Sequence, residues 1–296
     1  MKIPGIKFQN RQVEAACNSV LTQQDLRGIR DAVVETMLLT LTGRTILPIE
    51  RRPIQEEFFT YWLETQMNDA SVMTRRQKAR VAEDEPLVAL QTALPYVKIE
   101  KTFSMHKLDQ FASFDAKARY VKQATRQVAE AENDLIFNGC TLPALNGLIA
   151  GAGNTTAATA AWSTLPAGDA YEDVNRVIQL MRVDGFMGPY LMACDPINYG
   201  ELGIREVKAG GSANPYKQLI EEGLLAGPIQ SNVLCPHGTA VVIQQGTDVA
   251  SLLCPEDTTL VIKDLDEITE QIEGVVREAV LPFIFQANGV GTVTGA

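Results

Sequence analysis

The side chains that most often carry chemistry are few in this chain and poorly placed for it. Its only two histidines are His106, after an alternating apolar run, and His237, in the turn-like Cys235-Pro236-His237-Gly238. Imidazole can serve as a general base or a metal ligand near neutral pH. No carboxylate or second histidine stands at ligand spacing, so both read as surface or turn residues. The five cysteines, Cys17, Cys140, Cys194, Cys235 and Cys254, are odd in number and contain no CxxC pair. That excludes a zinc ribbon and a thioredoxin-type redox motif. No GxSxG elbow, GxxxxGK[ST] phosphate loop or HExxH helix occurs. Gly151 and Gly153 lack a third glycine and follow no convincing strand, and no helix follows Gly289 and Gly291 to face a phosphate. Asn154-Thr155-Thr156 is a glycosylation sequon that matters only in a secreted chain. Glu130, Glu132 and Asp134 read as a solvated helix face rather than a metal site. The expectation is a protein without catalytic, cofactor or metal residues, and not an enzyme.

The elements that would position such residues follow from size and patterning. The chain has 296 residues, 46% of them hydrophobic, enough for about two domains or one discontinuous domain with a substantial core. Its N-terminus, MKIPGIKFQNR, has no apolar signal run, so reduced thiols in a cytoplasm are expected. Residues 135–168 carry no Asp, Glu, Lys or Arg until Asp169, yet glycines and prolines interrupt them, so no membrane span is expected. With 26 basic and 36 acidic residues the net charge is −10, which disfavours non-specific nucleic-acid binding by the outer surface. It leaves room for a container whose inner wall tolerates DNA.

Along the chain, an arm of about twenty residues precedes a cap-like Thr22 and Asp25. Leu26, Ile29, Val33, Met37 and Leu41 then recur at helical spacing, with Gly43 expected as a left-handed C-terminal cap. Residues 49–96 hold 14 charges in 48 positions, against 18 in 118 for residues 146–263. Within them Arg75, Arg76, Lys78 and Arg80 abut Glu83, Asp84 and Glu85, which predicts an extended, solvated excursion. Val97, Ile99, Phe103 and Met105 alternate as in a strand. From Asp115 a helix with Ala118, Val121, Val128, Ala131 and Leu135 on one face runs to Gly139. Asp169 and Glu172 are expected to cap a further helix that Gly185 closes. Pro189–Cys194 reads as a buried strand, followed by short helices near 197–202 and 215–223. Strands are predicted at 239–244, 249–253 and 259–262, and a long one runs over 269–285 with a bend at Gly274. The chain thus leaves one domain, builds a second and returns.

Four segments carry a resemblance. LTQQDLRGIRDAVVETMLLTLTGRTILPIE (21–50), VAEAENDLIFNG (128–139), DGFMGPYLMACDPINYGEL (184–202) and NPYKQLIEEGLLAGPIQ (214–230) occur in this order, and VREAVLPFIFQANGVGTV closes the chain. Together they resemble the encapsulin and tailed-phage capsid superfamily, with the α+β fold known from phage Hong Kong 97. The resemblance implies an N-terminal arm and helix over 1–48 and an extended E-loop over 49–96. It also implies a peripheral domain with a long spine helix over 97–145, an axial domain over 146–263, and over 264–296 a return strand of the peripheral domain and the C-terminus.

The implied function is self-assembly into an icosahedral shell of pentamers, with hexamers in larger shells. The contacts would include the E-loop residues Arg75, Arg76, Lys78, Arg80, Glu83, Asp84 and Glu85, whose charge blocks would meet opposite blocks on neighbours. Phage capsids of this type enclose genomic DNA without reading its sequence, and scaffolding or decoration proteins can join them. Encapsulins enclose cargo enzymes whose tail peptides dock near the N-terminal helix. The twenty-residue arm and the long E-loop favour a phage capsid, assembled in a bacterial host cytoplasm, over a cytoplasmic encapsulin nanocompartment. Some phage relatives crosslink an arm lysine, for which Lys78 is the candidate, but no matching partner motif accompanies it. A soluble small-ligand enzyme built on the Gly-rich middle is the remote alternative, and no residue constellation supports it.

Overall fold

The computed structural model describes residues 31–37, 40–53, 58–63, 88–93, 96–106, 114–141, 144–164, 167–204, 214–266 and 271–296. Two compact units divide the chain, one of Pro53–Pro95 and one of Met1–Arg52 with Tyr96–Ala296. In the smaller unit β2 (Phe58–Leu63) and β3 (Val88–Ala93) pair antiparallel, Phe58 opposite Ala93 and Leu63 opposite Val88. The charge blocks at 75–85 lie outside the described residues.

The larger unit carries two sheets. In the four-stranded sheet the order is β1 (Ile49–Arg51), β11 (Ala250–Asp266), β12 (Gln271–Ile284) and β4 (Val97–His106). The five-stranded sheet runs β7 (Asn154–Ala157), β13 (Val290–Thr294), β10 (Thr239–Gln244), β8 (Tyr190–Cys194) and β9 (Gln230–Ser231). The remaining pair, β5 (Gly139–Cys140) and β6 (Leu145–Asn146), is a two-stranded ladder. The last strand, β13, therefore pairs in the five-stranded sheet, between β7 and β10.

The apolar run of β10 reflects a sheet buried on both faces. Ala240 and Val242 join Tyr190, Met192 and Cys194 beneath helix α4 (Ala167–Val183), while Val241, Ile243 and Ala193 join Leu135–Phe137 and Val280 on the other side. The long helix α3 (Phe114–Asn138) has 25 residues, roughly 37 Å at about 1.5 Å per residue. Val121, Ala124, Val128 and Ala129 of α3 pack with Val33, Met37 and Leu41 on Leu260 and Val276 of the four-stranded sheet. Ala131, expected on that inner face, is exposed, whereas Glu132 is buried. Gly139 ends α3 with φ +81°, a conformation open to glycine at little cost.

Other boundaries depart from expectation. Residues 31–37 are helical (α1), but Gly43 is not a left-handed cap: it opens the one-turn helix α2 (Gly43–Ile46). It is glycine because a Cβ there would lie 2.5 Å from Ile136 Cδ1. Helix α4 starts at Ala167, so Asp169 lies inside it rather than at its cap. Gly185, at φ +93°, closes α4 as expected, and Phe186 donates its N–H to the Met181 carbonyl at 2.9 Å. Short helices α5 (Pro196–Ile204) and α6 (Pro215–Glu221) follow. Gly274 stays in register with Ile262 and Phe103, and a Cβ on it would strike the Phe103 ring.

The strands expected at 249–253 and 259–262 are one, β11. Its pairing with β12 shifts between Leu253 and Glu256, between Glu256 and Thr259, and between Ile262 and Leu265. Each shift spends three residues of β11 against two of β12, a one-residue bulge that breaks the alternation a sequence reading relies on.

Candidate functional site

The strongest concentration of charge lies inside the larger unit, where α2, α3, β11 and β12 meet. Arg44 of α2 is almost wholly buried and reaches Glu132 of α3 as a two-pronged fork, Nε to Oε1 at 2.8 Å and Nη2 to Oε2 at 2.6 Å. Its Nη1 donates to Asp257 Oδ1 at 3.0 Å, and Nη2 also reaches Glu278 Oε2 at 3.2 Å. Thr258 donates its hydroxyl to the same Glu278 oxygen at 2.7 Å. Asp257 and Thr258, neighbours on one strand, both serve this cluster because the bulge between Glu256 and Thr259 breaks their alternation. A planar guanidinium suits this divided contact as a lysine ammonium would not.

Burial works against the Arg44 charge, but Glu132, Glu278 and Asp257 outweigh it and hold its pKa well above its ordinary value. Glu278 shifts the other way in charge: burial, then the neighbouring Glu132, push its carboxyl well above the usual range against the opposing pull of Arg44 and Thr258. Glu278 Oε1 meets no donor among the described residues. Nearby, burial and then Asp257 push the Cys254 thiol up to about 12, so it is neutral and inert.

A second feature is a cleft of about 650 Å³ beside α1, between α3 and the loop 231–234. Thr36, Thr40, Asn133 and Asn232 give it a polar floor. Asn133 ties the surrounding elements together: its Oδ1 accepts the Gly43 N–H at 2.9 Å and its Nδ2 donates to the Thr40 carbonyl at 2.7 Å. Lys122 meets Glu35 at 3.1 Å on the exposed rim.

The residues that chemistry would have used are scattered. His106 ends β4, and His237 is exposed with Nδ1 3.5 Å from Asp195 Oδ1. Asp195 is itself occupied in capping α5, accepting the Ile197 and Asn198 N–H groups. Cys140, Cys194, Cys235 and Cys254 are not joined in disulfides. Among the described residues no three metal-binding side chains converge and no helix is long and apolar enough to cross a membrane. Glu130 and Asp134 do lie toward solvent, but Glu132, assigned to the same solvated face, is in the core. Its signal was its spacing, four residues after Val128 and four before Ile136. Glu278 likewise alternates with Val276 and Val280, all fully buried. Arg44 carries no comparable periodic signal.

The family model described as encapsulating protein for peroxidase matches residues 18–272. The chain belongs to this encapsulin family. It is a structural subunit of a self-assembling icosahedral shell, with the mixed α+β fold of Hong Kong 97 capsids. A virus-like particle from Pyrococcus furiosus has 13% identity and a TM-score of 0.63, over 90% of this chain and 98% of that one. The capsid of an empty GTA particle has 13% identity and a TM-score of 0.64, over 87% and 90%. A chain from Mycobacterium phage Cain has 11% identity and a TM-score of 0.63, over 89% of each. No curated protein matches this encapsulin. The family match favours the encapsulin over the phage capsid that its arm lengths suggested.

Proposed function

We propose that this encapsulin forms a cytoplasmic nanocompartment that encloses a protein cargo, with a peroxidase as the cargo class. The observation that carries the reading is the family match over residues 18–272, whose description names a peroxidase as what is enclosed. The structural likenesses, all at 11–14% identity, include phage capsids and support the shared fold alone. The cleft beside α1 adjoins the helix to which encapsulin resemblance gives cargo peptides, and we assign docking to it.

In this reading residues 49–96 act as the E-loop, 97–145 with the return strand of 264–296 as the peripheral domain, and 146–263 as the axial domain, whose sheet the C-terminal strand β13 joins. Arg75, Arg76, Lys78 and Arg80 on one side, and Glu83, Asp84 and Glu85 on the other, set the register between neighbouring subunits. Reversing the four basic residues to Glu should impair assembly while leaving a folded subunit. Normal particles from that variant would remove the E-loop assignment.

The deciding experiment is electron microscopy of particles purified from the native source, with analysis of their contents. Closed tailless shells holding a specific co-purified protein support the reading. Nuclease-protected genomic DNA and attached tails would replace it with a phage capsid.

A further inference from the structure

We propose that Arg44, Glu132, Asp257 and Glu278 form a proton-held clamp: α2, the long helix α3 and the paired strands β11 and β12 stay locked while Glu278 is a neutral acid, and loosen when alkali ionises it.

The geometry leaves one carboxyl without a cation of its own. Glu132 takes two prongs of Arg44, and Asp257 takes the third, with Arg51 on its outer oxygen at 3.1 Å. Glu278 receives only a share of the Nη2 already bonded to Glu132, and its Oε1 faces no donor among the described residues. An ionised Glu278 would place a bare carboxylate oxygen beside Glu132 in the core. A neutral carboxylic acid avoids that charge, and burial with Glu132 nearby pushes the Glu278 carboxyl upward. Loss of that proton to solvent leaves three anions on one buried guanidinium, of which only Asp257 has a second cation among the described residues, Arg51.

Among the described residues the surroundings offer no replacement cation. From β11 come Asp257, the Thr258 hydroxyl and the neutral Cys254 thiol. From β4, Ile99 stands opposite Glu278, flanked by Lys98 and Glu100, which pair with each other at the surface. Arg277, next along β12, is bonded to Glu256 at 3.1 Å. Arg51 of β1 reaches the cluster through Asp257.

The linkage has a definite sign. The native state binds a proton on Glu278 that the unfolded chain releases near the ordinary carboxylate value of about 4.3. Its stabilisation is therefore full below that value and is lost as pH rises toward the raised native value, about tenfold in the folding constant per pH unit.

The test uses assembled shells of the full chain. Thermal midpoints of the wild type and Glu278→Gln are compared from about pH 5 to about pH 9, a range that starts just above the free carboxylate value. The wild type should fall relative to the variant as pH rises, and amide protection across Gly43–Leu47, corrected for the base-catalysed intrinsic rate, should decrease in the wild type alone. If Glu278→Gln does not fold, infrared spectroscopy of the wild type decides. A protonated-carboxyl band should persist in neutral buffer and vanish in alkali. Parallel midpoint curves, or no such band at neutral pH, would overturn the clamp.

Discussion

The centre of the five-stranded sheet and the junction at Arg44 are both buried, yet opposite principles hold them together. Around the sheet, Trp162, Val177, Ile178, Met181 and Met192 interlock as an apolar core. Its polar members have simple duties: the Asp173 carboxylate accepts from the Thr159 hydroxyl at 2.9 Å and from Trp162 Nε1 at 3.2 Å. The junction buries Arg44, Glu132 and Glu278 instead. Taking ions from water costs several kcal/mol each, and only complete pairing offsets that cost. The sheet thus gains stability from contact area, whereas the junction draws α2, α3, β11 and β12 together through ion pairs and hydrogen bonds to one guanidinium.

The contrast can be broken by experiment, beginning with the largest effect. Val128→Asp places an unpaired charge where α3 packs on the four-stranded sheet, and soluble protein should be lost on expression. Wild-type yield would refute the packing of α3. Arg44→Leu strands two buried carboxyls and should cost about 3–5 kcal/mol in denaturant unfolding of the subunit. In the apolar region, Ile178→Ala should cost about 3 kcal/mol through lost contacts and a residual cavity, with little pH dependence. The combined variant Arg44→Met, Glu132→Leu and Glu278→Leu sharpens the comparison: it should recover to within about 1 kcal/mol of wild type, as apolar groups of similar size replace the buried part of the cluster while Asp257 keeps Arg51. If it remains as unstable as Arg44→Leu alone, the charges themselves stabilise the fold. Smallest is Arg126→Ala, which breaks an exposed pair with Glu130 four residues on and should cost about 0.3 kcal/mol, declining with salt.

Legibility in the sequence tracked these two regions. The strand β10 and the glycine stops at Gly139 and Gly185 were readable, because apolar continuity and left-handed glycines are local signals. Glu132 was read as solvated because its acidic neighbours Glu130 and Asp134 suggested a surface, although the spacing from Val128 to Ile136 points inward. The double strand expected within β11 failed for a different reason. Bulges rephase side chains one residue at a time, and only the partner strand reveals where.

The sequence by itself determined the mixed α+β character, the helical and alternating segments, the lack of a catalytic constellation and the resemblance to shell proteins. These rest on period, turn residues and residue type, which are properties of neighbouring positions. Tertiary structure alone decided that Arg44 meets Glu132 and Glu278, 88 and 234 positions away, and that β13 enters the five-stranded sheet. Such pairings depend on which distant surfaces exclude water together. No local pattern encodes that, because the free energy of a buried charge is set by the partners it meets after the chain has closed around it.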